Sequence, residues 1–324
     1  MIVHRLTFAV LCYFALGQAI SAQNAGHTPL RIGLVTPGGA NVPQGAASVE
    51  RGIRLGAAES KQTAALFGND VELYDAEGAG SAALIAAERL LSVRQVQVLI
   101  GVSAADADLL SGFAESHHIL FVNAASRSRA LRAACRRYTF HVEATDAMYE
   151  NAAAAAKHAP IITNTNDSGL RAGSRPDSVT LWGPSLQRFG ASQINDRYRD
   201  KYQLGMDGFA WAGWAAVKIA SEAALRTRST SPAKLVSYLE SPATQFDGHK
   251  GWPLTFRIAD HQLRQPLYTA TLLDGGGYRL TDVPELRDDS SVARSTDPDV
   301  RTPSKVLDFL IASPGARPCK WSGK

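Results

Sequence analysis

Two hydrophobic periods alternate along the chain, and the switching between them predicts its architecture. Residues 30–35, 71–74, 96–100 and 119–122 are short runs rich in Leu, Ile and Val, the composition of strands buried on both faces. Between them, apolar residues recur every three or four positions. Val49, Ile53 and Ala57 form one stripe; Ala82, Ile85, Ala86 and Leu90 form the next, with Ser81 placed to cap its helix; a third helix covers 104–117. Strands joined by helices pair in parallel, so this half reads as an α/β unit, followed by a strand-like segment over 138–142.

Beyond residue 142 the rhythm loosens. An Ala-rich helix over 148–157, a polar stretch over 163–178 and a strand over 179–182 lead into a long helix over 206–226. Its Phe209, Gly213, Ala216, Val217, Ala220 and Ala224 make one apolar stripe, while Lys218 and Glu222 argue against a membrane span. Residues 254–258 and 266–273 alternate in the strand manner around a polar turn, and Gly275-Gly276-Gly277 leads into a strand at 278–280; these read as antiparallel. Residues 285–303 are rich in Asp, Ser, Arg and Pro and read as extended or disordered.

The first residues carry a different pattern. A basic start (His4, Arg5), an apolar run over 6–17 and small residues before Gln23 predict a signal peptide over 1–22, cleaved on export to the periplasm. The run is shorter than the roughly 20 residues of a membrane anchor, and Cys12 inside it is badly placed for lipidation. About 300 residues then remain, enough for two lobes. Removal of Cys12 leaves Cys135 and Cys319, an even pair in an oxidising compartment; a disulfide and two unrelated thiols both fit the spacing. The net charge of +4 comes from scattered cations, the densest cluster lying over 127–137, which reads as solvated surface rather than a nucleic-acid site.

Several chemistries are missing. The chain has no G-x-S-x-G elbow and no G-x-x-x-x-G-K-[ST] phosphate loop; Gly38-Gly39 fits a turn, and its histidines are too dispersed for a metal. No catalytic residue, metal or cofactor is expected. Of Asp106, Asp108 and Glu115, the first-turn acid reads as favouring the helix N-terminus and the others as meeting water. The positive signal is positional. Ligands of parallel sheets collect at strand carboxyl ends, and these ends carry small or hydroxyl residues at 101–104 and 123–126. Ser103 has two readings, a donor to a ligand and a cap for the following helix.

Arg31-Ile32-Gly33-Leu34-Val35 followed by residues 50–59 (ERGIRLGAAE) resembles the opening of the branched-chain amino acid type of ABC-transporter solute-binding protein. Residues 209–212 with 220–223, then 246–251 and 254–257, are similar to that family's late helix and final strands. Residues 188–195, Lys250-Gly251 and 262–266 resemble the branch found with PQQ-dependent alcohol dehydrogenase systems. The resemblance implies a two-lobed periplasmic-binding-protein-like α/β fold with parallel sheets flanked by helices, a small-molecule ligand in the cleft, and delivery to a membrane permease. It implies a first lobe of 27–142 plus about 207–250, a second of 143–206 plus about 251–284, and a C-terminal tail over 285–324. Only residues 149–168 stand where the family has several further βα units, so the second lobe is expected to be truncated. This shortening favours the alternative of a non-transport receptor or accessory protein. By the match, Ser103, Ala104, Ala124, Ser126 and Arg127 stand at the ligand.

Overall fold

The computed structural model describes residues 28–39, 42, 44–156, 177–272, 278–282, 307–308, 310–311 and 318–321. The expected signal peptide and the polar segment over 285–303 lie outside the described residues. Strand β1 (Leu30–Thr36), helix α1 (Gln44–Ala65), β2 (Val71–Glu77), α2 (Ser81–Arg94), β3 (Val98–Gly101), α3 (Ala107–His117), β4 (Leu120–Asn123), α4 (Arg129–Ala133) and β5 (Thr139–His141) build one parallel five-stranded sheet, in the order β2-β1-β3-β4-β5. Its central strands bury alternate residues on opposite faces. Ile32, Leu34, Val98, Ile100, Leu120 and Val122 face one apolar cluster, while Val35, Leu99 and Phe121 face another under α2 and α3. Ser81 begins α2 but does not cap it: the N-cap is Gly80, at φ 56°.

The chain then enters a second lobe through α5 (Asp146–Ala155) and β6 (Asp177–Thr180). It returns to the first by α6 (Ala191–Tyr202), α7 (Gly208–Thr227) and α8 (Pro232–Leu239) and by the short strands β7 (Phe246–Asp247), β8 (Pro253–Phe256) and β9 (Leu263–Arg264). It crosses again into β10 (Tyr268–Leu272) and β11 (Tyr278–Asp282). The second sheet has the order β11-β10-β6 and is antiparallel throughout, as the alternation over 266–273 and the strand at 278–280 predict, whereas the family resemblance implies parallel sheets. The connection between β10 and β11 is too short for a parallel crossover. Among the described residues this three-stranded sheet is the only one in the second lobe, in keeping with its expected truncation.

Two contacts fix how these parts sit together. Helices α1 and α7 meet backbone to backbone: a Cβ on Gly52 would lie 1.8 Å from Ala210 O, and one on Gly213 would lie 2.2 Å from Val49 O. Asp207 caps α7 by accepting from Ala210 N at 2.8 Å and takes a hydrogen bond from Ser48 of α1 at 2.6 Å. The second contact is Lys250, 1% exposed. Its ammonium donates to Leu181 O (2.9 Å), Gln265 Oε1 (3.0 Å) and Pro266 O (3.1 Å) and stands 3.9 Å from the Trp211 ring centre. Gln265 in turn donates to Val142 O at 2.6 Å. Residues 142, 181 and 265–266 are where the chain passes between the two sheets among the described residues, so one cation gathers these crossings.

Parts of the expected tail are docked. Leu307, Leu310 and Ile311 belong to the core, and Asn151 donates to Leu310 O at 2.9 Å. Cys135 and Cys319 are joined in a disulfide with their Cα atoms 5.3 Å apart. Beside it the His261 ring is stacked between Phe140 (4.1 Å) and Trp321 (4.3 Å). The bridge between His141 and Gln262 lays residues 261–262 along β5.

Gly52→Ala is expected to destabilise the protein by about 2–3 kcal/mol in urea unfolding despite the better helix propensity of Ala, because α1 and α7 must separate. Lys250→Met keeps the side-chain volume but leaves its acceptors without their shared donor. A loss of roughly 2–4 kcal/mol is expected in the same measurement; an unchanged midpoint would refute the role given to this cation.

Candidate functional site

The strand order reverses between β1 and β3, which opens a crevice at the carboxyl ends of the parallel strands. Beside it β3 and β4 end level, Gly101 paired with Asn123, so their following loops are neighbours. Ser103 lies in the first of these loops, 8% exposed, and its hydroxyl makes no hydrogen bond to another described residue. It is not a helix cap: α3 starts at Ala107 after Asp106. Asp106 is buried, its carboxylate receiving Gly80 N–H at 2.8 Å. Glu115 likewise is tied inward, accepting from Tyr138 N at 2.8 Å. Ala104 is exposed on the turn beyond Ser103.

The second loop is shaped by Asn123. Its Oδ1 accepts from Ser126 N (2.8 Å) and Ala125 N (3.3 Å), and its Nδ2 donates to Ser126 O (2.8 Å), a side-chain-closed turn. Ala124 turns its methyl into the core, so only its backbone is free for a ligand. Ser126 is buried, and its oxygen accepts only a long bond from Ser128 N, 3.4 Å. Arg127 is half-buried. Its guanidinium pairs with Asp146 at 2.8 Å and lies 4.2 Å over the Tyr149 ring, while its Nε is buried without a partner.

Behind these loops lies a polar layer that the sequence did not flag. Arg132, in the stretch expected to be solvated surface, is buried. It donates to Ser126 O (2.6 Å), Ser128 O (3.1 Å), Glu143 O (2.7 Å) and Gln262 Oε1 (3.0 Å), and loss of water lowers its pKa to about 10. It thereby locks the loop after β4 to the segment after β5. Glu143 is fully buried; Oε1 accepts from Ala144 N (3.0 Å) and Tyr149 OH (2.9 Å), and Oε2 has no partner. Burial pushes its carboxyl up to about 7 against the pull of the Tyr149 hydrogen bond and the charges of Arg127 and Arg132. His141 is held neutral, its pKa well below the ordinary value, by burial and by Arg132. The strand-end Asn followed by small residues was the one readable signal for this layer. The arrangement can offer a ligand hydroxyls, loop amides and one arginine, and it can respond to pH through Glu143.

The chain has the α/β periplasmic-binding-protein fold. A periplasmic binding protein family matches residues 29–165. The structure is similar to the solute-binding protein of an ABC transporter from R. palustris in complex with benzoate, at TM-score 0.65 and 14% identity, covering 79% of this chain and 96% of that one. It is similar to a leucine-binding protein from Thermotoga maritima, at TM-score 0.61 and 14% identity over 78% and 97% of the two chains. A third similar structure is an ABC-type branched-chain amino acid transporter protein from Rhodopseudomonas palustris, at TM-score 0.67 and 13% identity over 78% and 95%. No curated protein matches the sequence.

The raised Glu143 pKa has a defined sign. The native state holds the proton more tightly than the unfolded chain, so the stabilisation is complete below the ordinary carboxyl value of 4.5 and is lost as pH rises through about 7. The difference corresponds to something on the order of 3 kcal/mol. Urea unfolding at a series of pH values should show wild type losing stability relative to Glu143→Gln between about pH 5 and 8. Parallel curves would remove the buried proton from the account.

Proposed function

We propose that this chain is the periplasmic substrate-binding component of an ABC transporter, which takes a small solute into the crevice between its lobes and presents it to a membrane permease. The observation that carries this reading is Ser103: a hydroxyl without an internal partner, beside the turn that Asn123 fixes, at the place where parallel sheets bind ligands. The family match over 29–165 and the similar folds of solute-binding proteins support it. Benzoate, bound by one of those proteins, and leucine, for which another is named, both carry a carboxylate. A small carboxylate suits Ser103, Ser126, Arg127 and the loop amides here. The reading includes a cleaved signal peptide over 1–22, residence in the periplasm, and no catalysis. Among the described residues no helix is long and apolar enough to cross a membrane. Residues 188–195, 250–251 and 262–266 support placing the chain in the branch that accompanies PQQ-dependent alcohol oxidation.

A second reading, a receptor or accessory protein that keeps the fold without delivering solute, is favoured by the small antiparallel sheet of the second lobe. Native mass spectrometry of protein taken from its own periplasm separates the two. A copurified small molecule is expected, on a chain beginning at Gln23. Calorimetric titration with that molecule should then show Ser103→Ala weakening binding by roughly 0.5–1.5 kcal/mol, with Arg127→Ala hurting an anionic ligand more. A chain that copurifies alone and binds neither leucine nor benzoate is the accessory protein.

A further inference from the structure

We propose that the first lobe carries a second small-molecule site, at the end of the sheet away from the crevice, that takes an oxyanion with a short apolar tail. The site is a cavity of about 760 Å³ between the last turns of α1 and α7, lined by Ser60, Phe67, Lys218, Ser221, Leu225 and Arg228 among others. It shares Asn69, Ser221, Leu225 and Arg228 with a smaller cavity of about 210 Å³ that reaches Leu30 and Val71, where β1 and β2 begin. The seven residues of β1 separate it from the crevice by roughly 20 Å. Its volume falls in the range of small-molecule sites.

Volume alone does not make a site; two buried hydroxyls do the rest. Ser60 on α1 is 1% exposed and its oxygen has no hydrogen-bond partner. Ser221 on α7 is 3% exposed and also makes no side-chain hydrogen bond to a described residue. Other hydroxyls on the helices behave differently, including Thr63 in the same cavity. Thr63 donates to Glu59 O (3.0 Å), Ser92 to Glu88 O (2.8 Å) and Thr227 to Ala223 O (2.7 Å), each reaching back one turn. A buried hydroxyl left unpaired costs stability, so Ser60, with the Ser221 hydroxyl lining the same cavity, points to an occupant that accepts hydrogen bonds.

The surrounding charges give that occupant its sign. Lys218 and Arg228 have no carboxylate within ion-pair distance among the described residues, and the one lining acid, Glu222, is taken by Arg226 at 2.7 Å. Leu225 and the largely exposed ring of Phe67 supply an apolar wall. Two donors, two cations and an apolar wall fit a carboxylate head on a short chain.

Octanoate titrated calorimetrically into the full mature protein tests this, with 1-octanol and acetate as controls for head and tail. Saturable binding of octanoate is expected, with each control weaker by about tenfold or more. Lys218→Glu should weaken octanoate by about tenfold, and Ser60→Ala by about fivefold with an equal or higher thermal midpoint, since it deletes an unpaired hydroxyl. Ser103→Ala should leave octanoate binding unchanged, which keeps this site apart from the crevice. The proposal is overturned if octanoate does not saturate at millimolar concentration or if 1-octanol binds as tightly. It is also overturned if Lys218→Glu has no effect, or if Ser103→Ala weakens octanoate as much as Lys218→Glu does.

Discussion

The arrangement of the two lobes depends on one buried cation, held by carbonyl oxygens of two separate segments. Taking the Lys250 ammonium out of water is costly unless fixed dipoles replace the lost solvent, and here the dipoles are Leu181 O, Pro266 O and the Gln265 side chain, with the face of Trp211 behind them. The acceptors come from two separate pieces of backbone, one at residue 181 and one at 265–266. The cation is satisfied only when the passages between the sheets are side by side, and Gln265 extends the same condition to Val142. Trp211 sits on α7, whose Gly213 lets it lie against α1, so the geometry between lobes is coupled to the tightest helix contact of the first lobe.

Arg132 plays a comparable part nearer the crevice. Its acceptors are mostly backbone carbonyls from the segments after β4 and β5, joined by Gln262. The loop that carries Ser126 and Arg127 is therefore held from below by a charge. A network made this way has no slack: neutral acceptors that depend on one guanidinium lose it together. It also leaves Glu143 in dry surroundings, where a proton is the cheapest neutraliser and the carboxyl titrates near neutrality.

The first sheet was legible because its strands are buried on both faces and its helices carry their stripes openly: Ile32, Val98 and Leu120 announce strands as plainly as Val49 and Ile53 announce a helix. Helix α6 was not legible. Of its residues only Ala191, Ile194, Asn195 and Tyr198 are buried, and Asn195 earns its place by accepting from Trp182 Nε1 at 2.9 Å, a contact no periodicity encodes. The crevice loops were findable from strand ends, but their supports were not. Arg132, Glu143 and Lys250 look like surface charges in a sequence, because what buries them is backbone from distant segments. The tail misled for the opposite reason: a mostly polar stretch hides Leu307, Leu310 and Ile311, which complete the core.

The disulfide imposes an order on maturation. A chain emerging N-terminus first releases Cys135 184 residues ahead of its partner, Cys319, so the early α/β unit carries a free thiol while most of the second half is still to come. During that interval the thiol can react with any other cysteine under oxidising conditions. The native bond can close only after residue 319 has been made, and it lies beside a histidine ring that Phe140 covers from one side and Trp321 from the other. The sequence places only one other cysteine in the chain, Cys12, so within the molecule a wrong pairing has a single candidate partner.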